Sequence, residues 1–396
     1  MRTISHALDT EGAQCVIIAT LRAWIGSKLN LNGKCRTNQF ERGQSPERSE
    51  HAPNDRCGQT FHISCKTTHC KTSKGTNVSH IVILDGFTLN PGDNPWKSLA
   101  GFGTIDIHDR TAPDQLITRA READILITNK TPISAEAIEQ LPKLKFIAVL
   151  ATGFNIVDID AVRKRGIPVS TVPVYGTTTV AQFAWALILE LCHHVGQHTQ
   201  SVVAGNWARC PDFCYWHTPQ IELVGKRLGL VGYGRIARQV GVIGEAFGME
   251  VFACEQPGFK PPPLASVTMC TREELFAEAD IVSLHCPLTP ETDRMVNRTL
   301  LSRMRREAFL VNTSRGGLVE ERDLAEALSA GQIAGAAVDV VSAEPMQADN
   351  PLLAAPNCLI TPHIAWSTLA ARQRIMQTTA DNIAAFFAGQ PQNDVT

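Results

Sequence analysis

Leu228-Gly229-Leu230-Val231-Gly232-Tyr233-Gly234-Arg235-Ile236-Ala237 decides how this chain is read. An apolar run breaks at two glycines and passes straight into a helical pattern in which Ile236, Val240, Ile243 and Phe247 recur on one face. Gly232 permits a tight turn. Gly234 lets the backbone approach a pyrophosphate at the helix N-terminus, where free N–H groups and the helix dipole favour negative charge. Ala237 stands where a third glycine is common, and it is still small enough for close helix–strand packing. The next strand, Val251–Cys254, runs into Glu255. A carboxylate there accepts bonds from ribose hydroxyls and repels a 2′-phosphate, which favours NAD over NADP. Lys260 nearby weakens that exclusion.

Further strands follow the glycine loop at Ile281–His285, Phe309–Asn312, Gly335–Val340 and Cys358–Thr361. A helix over Arg322–Ala330 stops at Gly331. Upstream, Ile81–Leu84, Ile125–Thr128 and Phe146–Leu150 are short apolar runs of the buried-strand type. Helical patterns over Pro113–Ala123 and Ser134–Leu141 alternate with them, the second with Ser134 as N-cap. A long helix is expected over Thr177–Gln200 and a last one over Thr368–Ala388, the latter with Ile375, Ile383, Phe386 and Phe387 on its buried side. This alternation predicts an α/β protein with two doubly wound, Rossmann-like parallel sheets. The last helix is expected to return to the first sheet. That makes a discontinuous substrate domain of 80–178 and 367–396 around a cofactor domain of 179–366.

Three segments at predicted strand ends carry the chemistry. They are Asn312-Thr313-Ser314-Arg315-Gly316, Asp339-Val340-Val341-Ser342-Ala343-Glu344-Pro345 and Thr361-Pro362-His363-Ile364-Ala365-Trp366. A 2-keto acid offers a carboxylate and a ketone oxygen. The planar fork of Arg315 matches the first, and its permanent charge polarises the second. Hydride arrival leaves charge on the ketone oxygen, and His363 is the group suited to protonating it near neutral pH. Glu344 on the other ring nitrogen would fix the imidazole and favour its protonated form. Singly, each reads as a surface or loop residue. Together, at the strand ends where ligands bind such sheets, they read as a catalytic set.

The 396 residues are 44% hydrophobic and 19% charged, with net charge −2. That balance fits an ordinary globular protein and points away from nucleic acid and from anionic membrane surfaces. No apolar run approaches the ~20 residues of a membrane span. Twelve cysteines form no regular framework, and a reducing cytoplasm is the simplest reading. Cys254 and Cys286 lie within apolar runs as buried small hydrophobes. Residues 1–79 are polar and unpatterned, and are expected to be disordered or artefactual, with a true start at Val78. Cys57, His62, Cys65, His69 and Cys70 match no closed zinc spacing, so no metal site is expected.

Over 80–396 the chain resembles the D-isomer-specific 2-hydroxyacid dehydrogenases. The specific marks are the three segments above together with Leu284-His285-Cys286-Pro287-Leu288-Thr289 and Glu291-Thr292. The resemblance implies Arg315 as substrate binder and Glu344 and His363 as acid/base pair. It implies cofactor contacts from Arg235, Ile236, His285, Pro287, Thr292 and Thr313, with Asp339 on the nicotinamide amide. It also implies a substrate carboxylate held by backbone N–H groups of Thr152, Gly153 and Phe154, near Lys130. Phe213-Cys214-Tyr215-Trp216 and the His363 segment are most similar to glycerate dehydrogenases (hydroxypyruvate reductases). The expectation is an NAD-dependent hydroxypyruvate/D-glycerate enzyme, homodimeric through the helix at 179–195. The alternatives are another substrate (phosphoglycerate, glyoxylate, lactate) or a non-catalytic NAD(H) sensor that binds partner proteins.

Overall fold

The computed structural model describes residues 79–254 and 266–396. The expectations for the N-terminal extension, its Cys/His residues, Glu255 and Lys260 lie outside the described residues.

Two wholly parallel sheets organise the chain. The first contains β1 (His80–Ile83), β2 (Thr104–Ile107), β3 (Ile125–Thr128), β4 (Phe146–Val149) and β5 (Val169–Ser170) in the order β2-β1-β3-β4-β5. The second contains β6 (Arg227–Val231), β7 (Glu250–Cys254), β8 (Val267–Met269), β9 (Ile281–Leu284), β10 (Phe309–Asn312), β11 (Gly335–Val338) and β12 (Cys358–Ile360) in the order β12-β11-β10-β9-β6-β7-β8. Fully buried strands such as Ile125–Thr128 and Phe309–Asn312 are near-continuous apolar runs, each closed by one buried polar residue, because helices cover both faces. Such runs were readable in the sequence. β2, β5 and β8 were not: β2 and β8 are edge strands that are largely exposed, and β5 has only two residues.

The helices are α1 (Leu116–Ala120), α2 (Ala135–Glu139), α3 (Ile159–Lys164), α4 (Thr177–His193), α5 (Val195–Val203), α6 (Arg235–Ala246), α7 (Arg272–Glu278), α8 (Arg298–Leu301), α9 (Glu321–Ser329) and α10 (Leu369–Phe387). Ser134 caps α2 by accepting from Ala137 N–H, as expected. The helix anticipated over Thr177–Gln200 is two. His194 adopts a left-handed φ of 48° and separates α4 from α5. The apolar face of α4 is spent on its own sheet: Ala184, Trp185 and Ile188 pack with Leu228, Leu230 and Val240. On α6 the buried positions are Ala237, Val240, Gly241 and Gly244. Phe247 instead stays partly exposed against the Trp185 ring, at a centroid distance of 4.9 Å.

α10 returns to the first sheet. Ile375, Met376, Ala380 and Ile383 join Ile81, Ile83, Ile125 and Phe146 in one core. Phe386 stacks on Phe146 at 4.6 Å, whereas Phe387 is largely exposed beside Phe102. Arg372 anchors the helix start with a bidentate pair to Asp93 (2.6 and 2.7 Å) and a bond to Leu89 O.

Candidate active site

In the second sheet the chain leaves β6 and β9 towards opposite faces, and the glycine loop sits at that reversal. Gly232 has φ +85°, and a Cβ on it would come within 2.8 Å of Cys286 N, so only glycine fits. At Gly234 a Cβ would meet nothing within 4 Å, which leaves the approach to the helix open. Among the described residues no side chain caps α6, and its first N–H groups have no acceptor there. Arg235 reaches across to Pro173 O at 3.2 Å, and Ile236 packs into the core behind the loop.

The buried atoms His285 Nδ1 and Thr313 Oγ1 have no partner among the described residues. The His285 Nε2 pairs with Ser283 Oγ at 2.9 Å, and burial drives its pKa down to about 4, so the ring is neutral. A bare helix N-terminus, an open Gly234 and unclaimed buried polar atoms together fit a dinucleotide. Thr292 is tied into its own turn. Its hydroxyl donates to Pro287 O at 2.8 Å and accepts from Thr289 N–H at 2.7 Å, which closes the 287–292 turn.

Arg315 is exposed just beyond β10. Asn312 builds its turn, donating to Arg315 O (2.9 Å) and accepting from Ser314 N–H (3.0 Å). A Cβ at Gly153 would lie 3.4 Å from Arg315 Nη2, so the loop after β4 and the turn after β10 meet here. A Cβ at Gly316 would overlap the backbone of Val341 and Ser342. That close approach brings the Arg315 turn against the loop carrying Glu344.

His363 Nδ1 lies 2.7 Å from Glu344 Oε2, so two expected partners 19 residues apart are brought together. The His363 backbone is left-handed, with φ 54°. Such a conformation costs a non-glycine residue on the order of 1 kcal/mol or more and needs surrounding support. Asp339 supplies it. Its carbonyl accepts the His363 N–H at 2.7 Å, and its carboxylate accepts from Thr361 Oγ1 (2.7 Å), Ile364 N–H (2.8 Å) and Ala365 N–H (2.8 Å). Asp339 is 1% exposed, and burial pushes its carboxyl up despite those donors. For Glu344 the balance is reversed. Partial burial raises its pKa, but the His363 bond and charge, the Val341 N–H and the Lys130 charge outweigh it and hold the carboxyl below its usual range.

The residues expected at the substrate carboxylate lie on the first sheet. The N–H groups of Thr152, Gly153 and Phe154 have no acceptor among the described residues, while Thr152 Oγ1 fixes the loop through Val172 O at 2.8 Å. Lys130 sits on a turn gathered by Asp85, whose carboxylate accepts the N–H groups of Asn129 (2.7 Å), Lys130 (2.6 Å) and Thr131 (2.8 Å). The scaffolding roles of Asp85 and Asp339 escaped the sequence reading. The only available signal was an acid directly after an apolar run, as in Leu84-Asp85 and Val338-Asp339.

Residues 185–365 match the family described as D-isomer specific 2-hydroxyacid dehydrogenase, NAD binding domain. The chain is 46% identical to the hydroxypyruvate reductase of Blautia hydrogenotrophica over 320 residues, covering 80% of this chain and 99% of that one. It is 38% identical to the glycerate dehydrogenase of Methylorubrum extorquens, over 72% of this chain and 88% of that one. Among solved structures, the TT0316 protein of Thermus thermophilus superposes with a TM-score of 0.70 at 35% identity, covering 80% of this chain and 100% of that one.

Proposed function

The chain belongs to the D-isomer-specific 2-hydroxyacid dehydrogenase family, NAD-dependent oxidoreductases, and from that membership we propose that it interconverts hydroxypyruvate and D-glycerate. Similarity to a hydroxypyruvate reductase and a glycerate dehydrogenase supports the substrate. The observation that carries the chemistry is the 2.7 Å bond from His363 Nδ1 to Glu344 Oε2, in the loops that leave β11 and β12.

The cofactor, when bound, supplies hydride to the ketone carbon. In the proposed roles Arg315 and the N–H groups of Thr152, Gly153 and Phe154 hold the substrate carboxylate, with Lys130 nearby. The Arg315 charge polarises the ketone. Glu344 occupies Nδ1 of His363, so Nε2 is the atom left to pass a proton to the ketone oxygen. In oxidation the neutral ring takes that proton back. Gly232, Gly234, Arg235, Ile236 and the unpartnered His285 and Thr313 atoms are proposed to hold the dinucleotide, and Asp339 to orient its nicotinamide while it holds the His363 loop. Glu255 is proposed for the ribose.

The same proposal divides the chain into a substrate domain (80–178, 367–396) and a cofactor domain (179–366), which the packing of α10 on the first sheet supports. It also includes a cytoplasmic homodimer. Seven described cysteines are free, which suits a reducing compartment. Near the expected contact, exposed apolar side chains lie just beyond α4 rather than on it, among them Val195, Val203, Trp207, Phe213 (89% exposed) and Trp216 (67%). They favour 195–216 over the helix at 179–195 for the proposed contact.

The test is NADH oxidation with hydroxypyruvate, glyoxylate, pyruvate and phosphohydroxypyruvate, repeated with NADPH. Hydroxypyruvate with NADH is expected to be preferred, and preference for another acid would reassign the substrate. His363→Ala is expected to lower kcat by about a hundredfold or more while NADH binding persists. Wild-type protein that binds NADH but turns over none of the acids would instead be the dinucleotide sensor.

A further inference from the structure

The first sheet has a reversal of its own. β1 and β3 are neighbours, yet the chain leaves β1 to reach β2 on one side and leaves β3 to reach β4 on the other. The order β2-β1-β3-β4-β5 therefore creates a crevice beyond the carboxyl ends of β1 and β3, where open parallel sheets of this order bind ligands. A cavity of about 760 Å³ lies there. It is within the several-hundred-Å³ range of small-molecule sites.

Its chemistry is uneven. The apolar floor comes from Leu116, Ile117, Pro113 and Ala137. Of three lining carboxylates, Asp85 is saturated by its three backbone N–H groups. Glu136 is engaged by the Ser134 hydroxyl, and only Asp109 remains. Against it stand two lining cations, Arg110 and Lys130, neither within ion-pair distance of a carboxylate among the described residues. The Arg110 guanidinium carbon lies over the Phe87 ring, 4.1 Å from its centroid, so one cation is already held at the wall. Lys130 borders both this cavity and the catalytic cleft, whereas Arg110 belongs to the cavity alone.

The geometry points to a second ligand site at the first sheet's switch point, between β1 and β3, for a small organic anion with an apolar body. The anionic group sits between Arg110 and Lys130, and the apolar body lies on the Leu116–Ala137 floor. A carboxylate and a phosphate ester share this chemistry.

Benzoate and phenyl phosphate, titrated calorimetrically into the full-length protein with benzyl alcohol as the uncharged control, test the site. At least one of the two anions is expected to bind with one-to-one stoichiometry, and the tighter one identifies the anion class. Arg110→Glu should weaken that binding at least about tenfold, the worth of a lost charge-assisted contact. Gln140→Trp, which fills the mouth of the cavity from an exposed position, should do the same. Arg315→Gln should leave it unchanged, since Arg315 belongs to the catalytic cleft. Binding that vanishes in Arg315→Gln and survives in Arg110→Glu would overturn the proposal, because the anion would then be in the catalytic cleft. Failure of both anions to bind, or equal binding of benzyl alcohol, would overturn it too. None of these readouts depends on which 2-keto acid is turned over.

Discussion

At the scale of single residues, the site is a set of small choices that fail separately. Glu344 holds His363, and His363 holds Glu344 ionised. Because the folded carboxyl lies below its ordinary value of 4.5, the carboxylate contributes stability that is fully present above the unfolded value and is lost as pH falls through the folded one. Wild type should therefore be more stable than Glu344→Gln at about pH 7, and the gap should close towards about pH 3. Urea midpoints for the two proteins at both pH values check this; a gap that widens on acidification would mean the ion pair has the opposite sign. The same substitution should slow reduction of the 2-keto acid at neutral pH, since an amide cannot balance an imidazolium.

At the scale of elements, strand ends and their loops do the positioning. Asp339→Asn replaces an acceptor-only carboxylate by a group with one acceptor atom, so an N–H of the 361–365 loop loses its partner. An unsatisfied buried donor costs about 1–3 kcal/mol. A lower melting temperature with a reduced kcat is expected, read by thermal denaturation and steady-state kinetics; an unchanged kcat would mean the left-handed His363 needs no such support. The elements that the sequence revealed are those whose identity is local. Ile125–Thr128 and Phe309–Asn312 are buried on both faces and so stay apolar up to their last residue. Ser134 marks its helix start by a side-chain cap and Gly331 marks its helix end by a left-handed backbone, both local signals. Arg315, Glu344 and His363 were legible because each follows an apolar run. What stayed hidden depends on distance. Asp85 meets Lys130 from 45 positions away, and β2 and β8 owe their pairing to neighbours rather than to their own pattern. His194 ends α4 without glycine or proline to announce it.

At the scale of the molecule, two sheets share one chain that crosses between them and returns. The return makes α10 structural rather than peripheral. Ile383 is fully buried against strands from the start of the described chain, and Ile383→Ala should cost about 2–5 kcal/mol. Calorimetric unfolding would read that as a fall in the first sheet's transition; a change below about 0.5 kcal/mol, the scale of an ordinary surface substitution, would mean the helix is only loosely applied. The return continues past the helix: Val395 N–H bonds Val169 O at 3.0 Å and Thr171 N–H bonds Asn393 O at 3.0 Å. This arrangement sets an order of events during synthesis. The first sheet leaves the ribosome early, yet one of its faces, covered until then only in part by the 89–99 segment, stays incomplete until the entire second sheet has been made. A translation-arrested chain ending at residue 366 should accordingly be cut by protease in 80–170 while 227–360 resists. The half of the enzyme that is made first is the half that is finished last, and through that interval its exposed strands depend on whatever in the cell shelters a nascent chain.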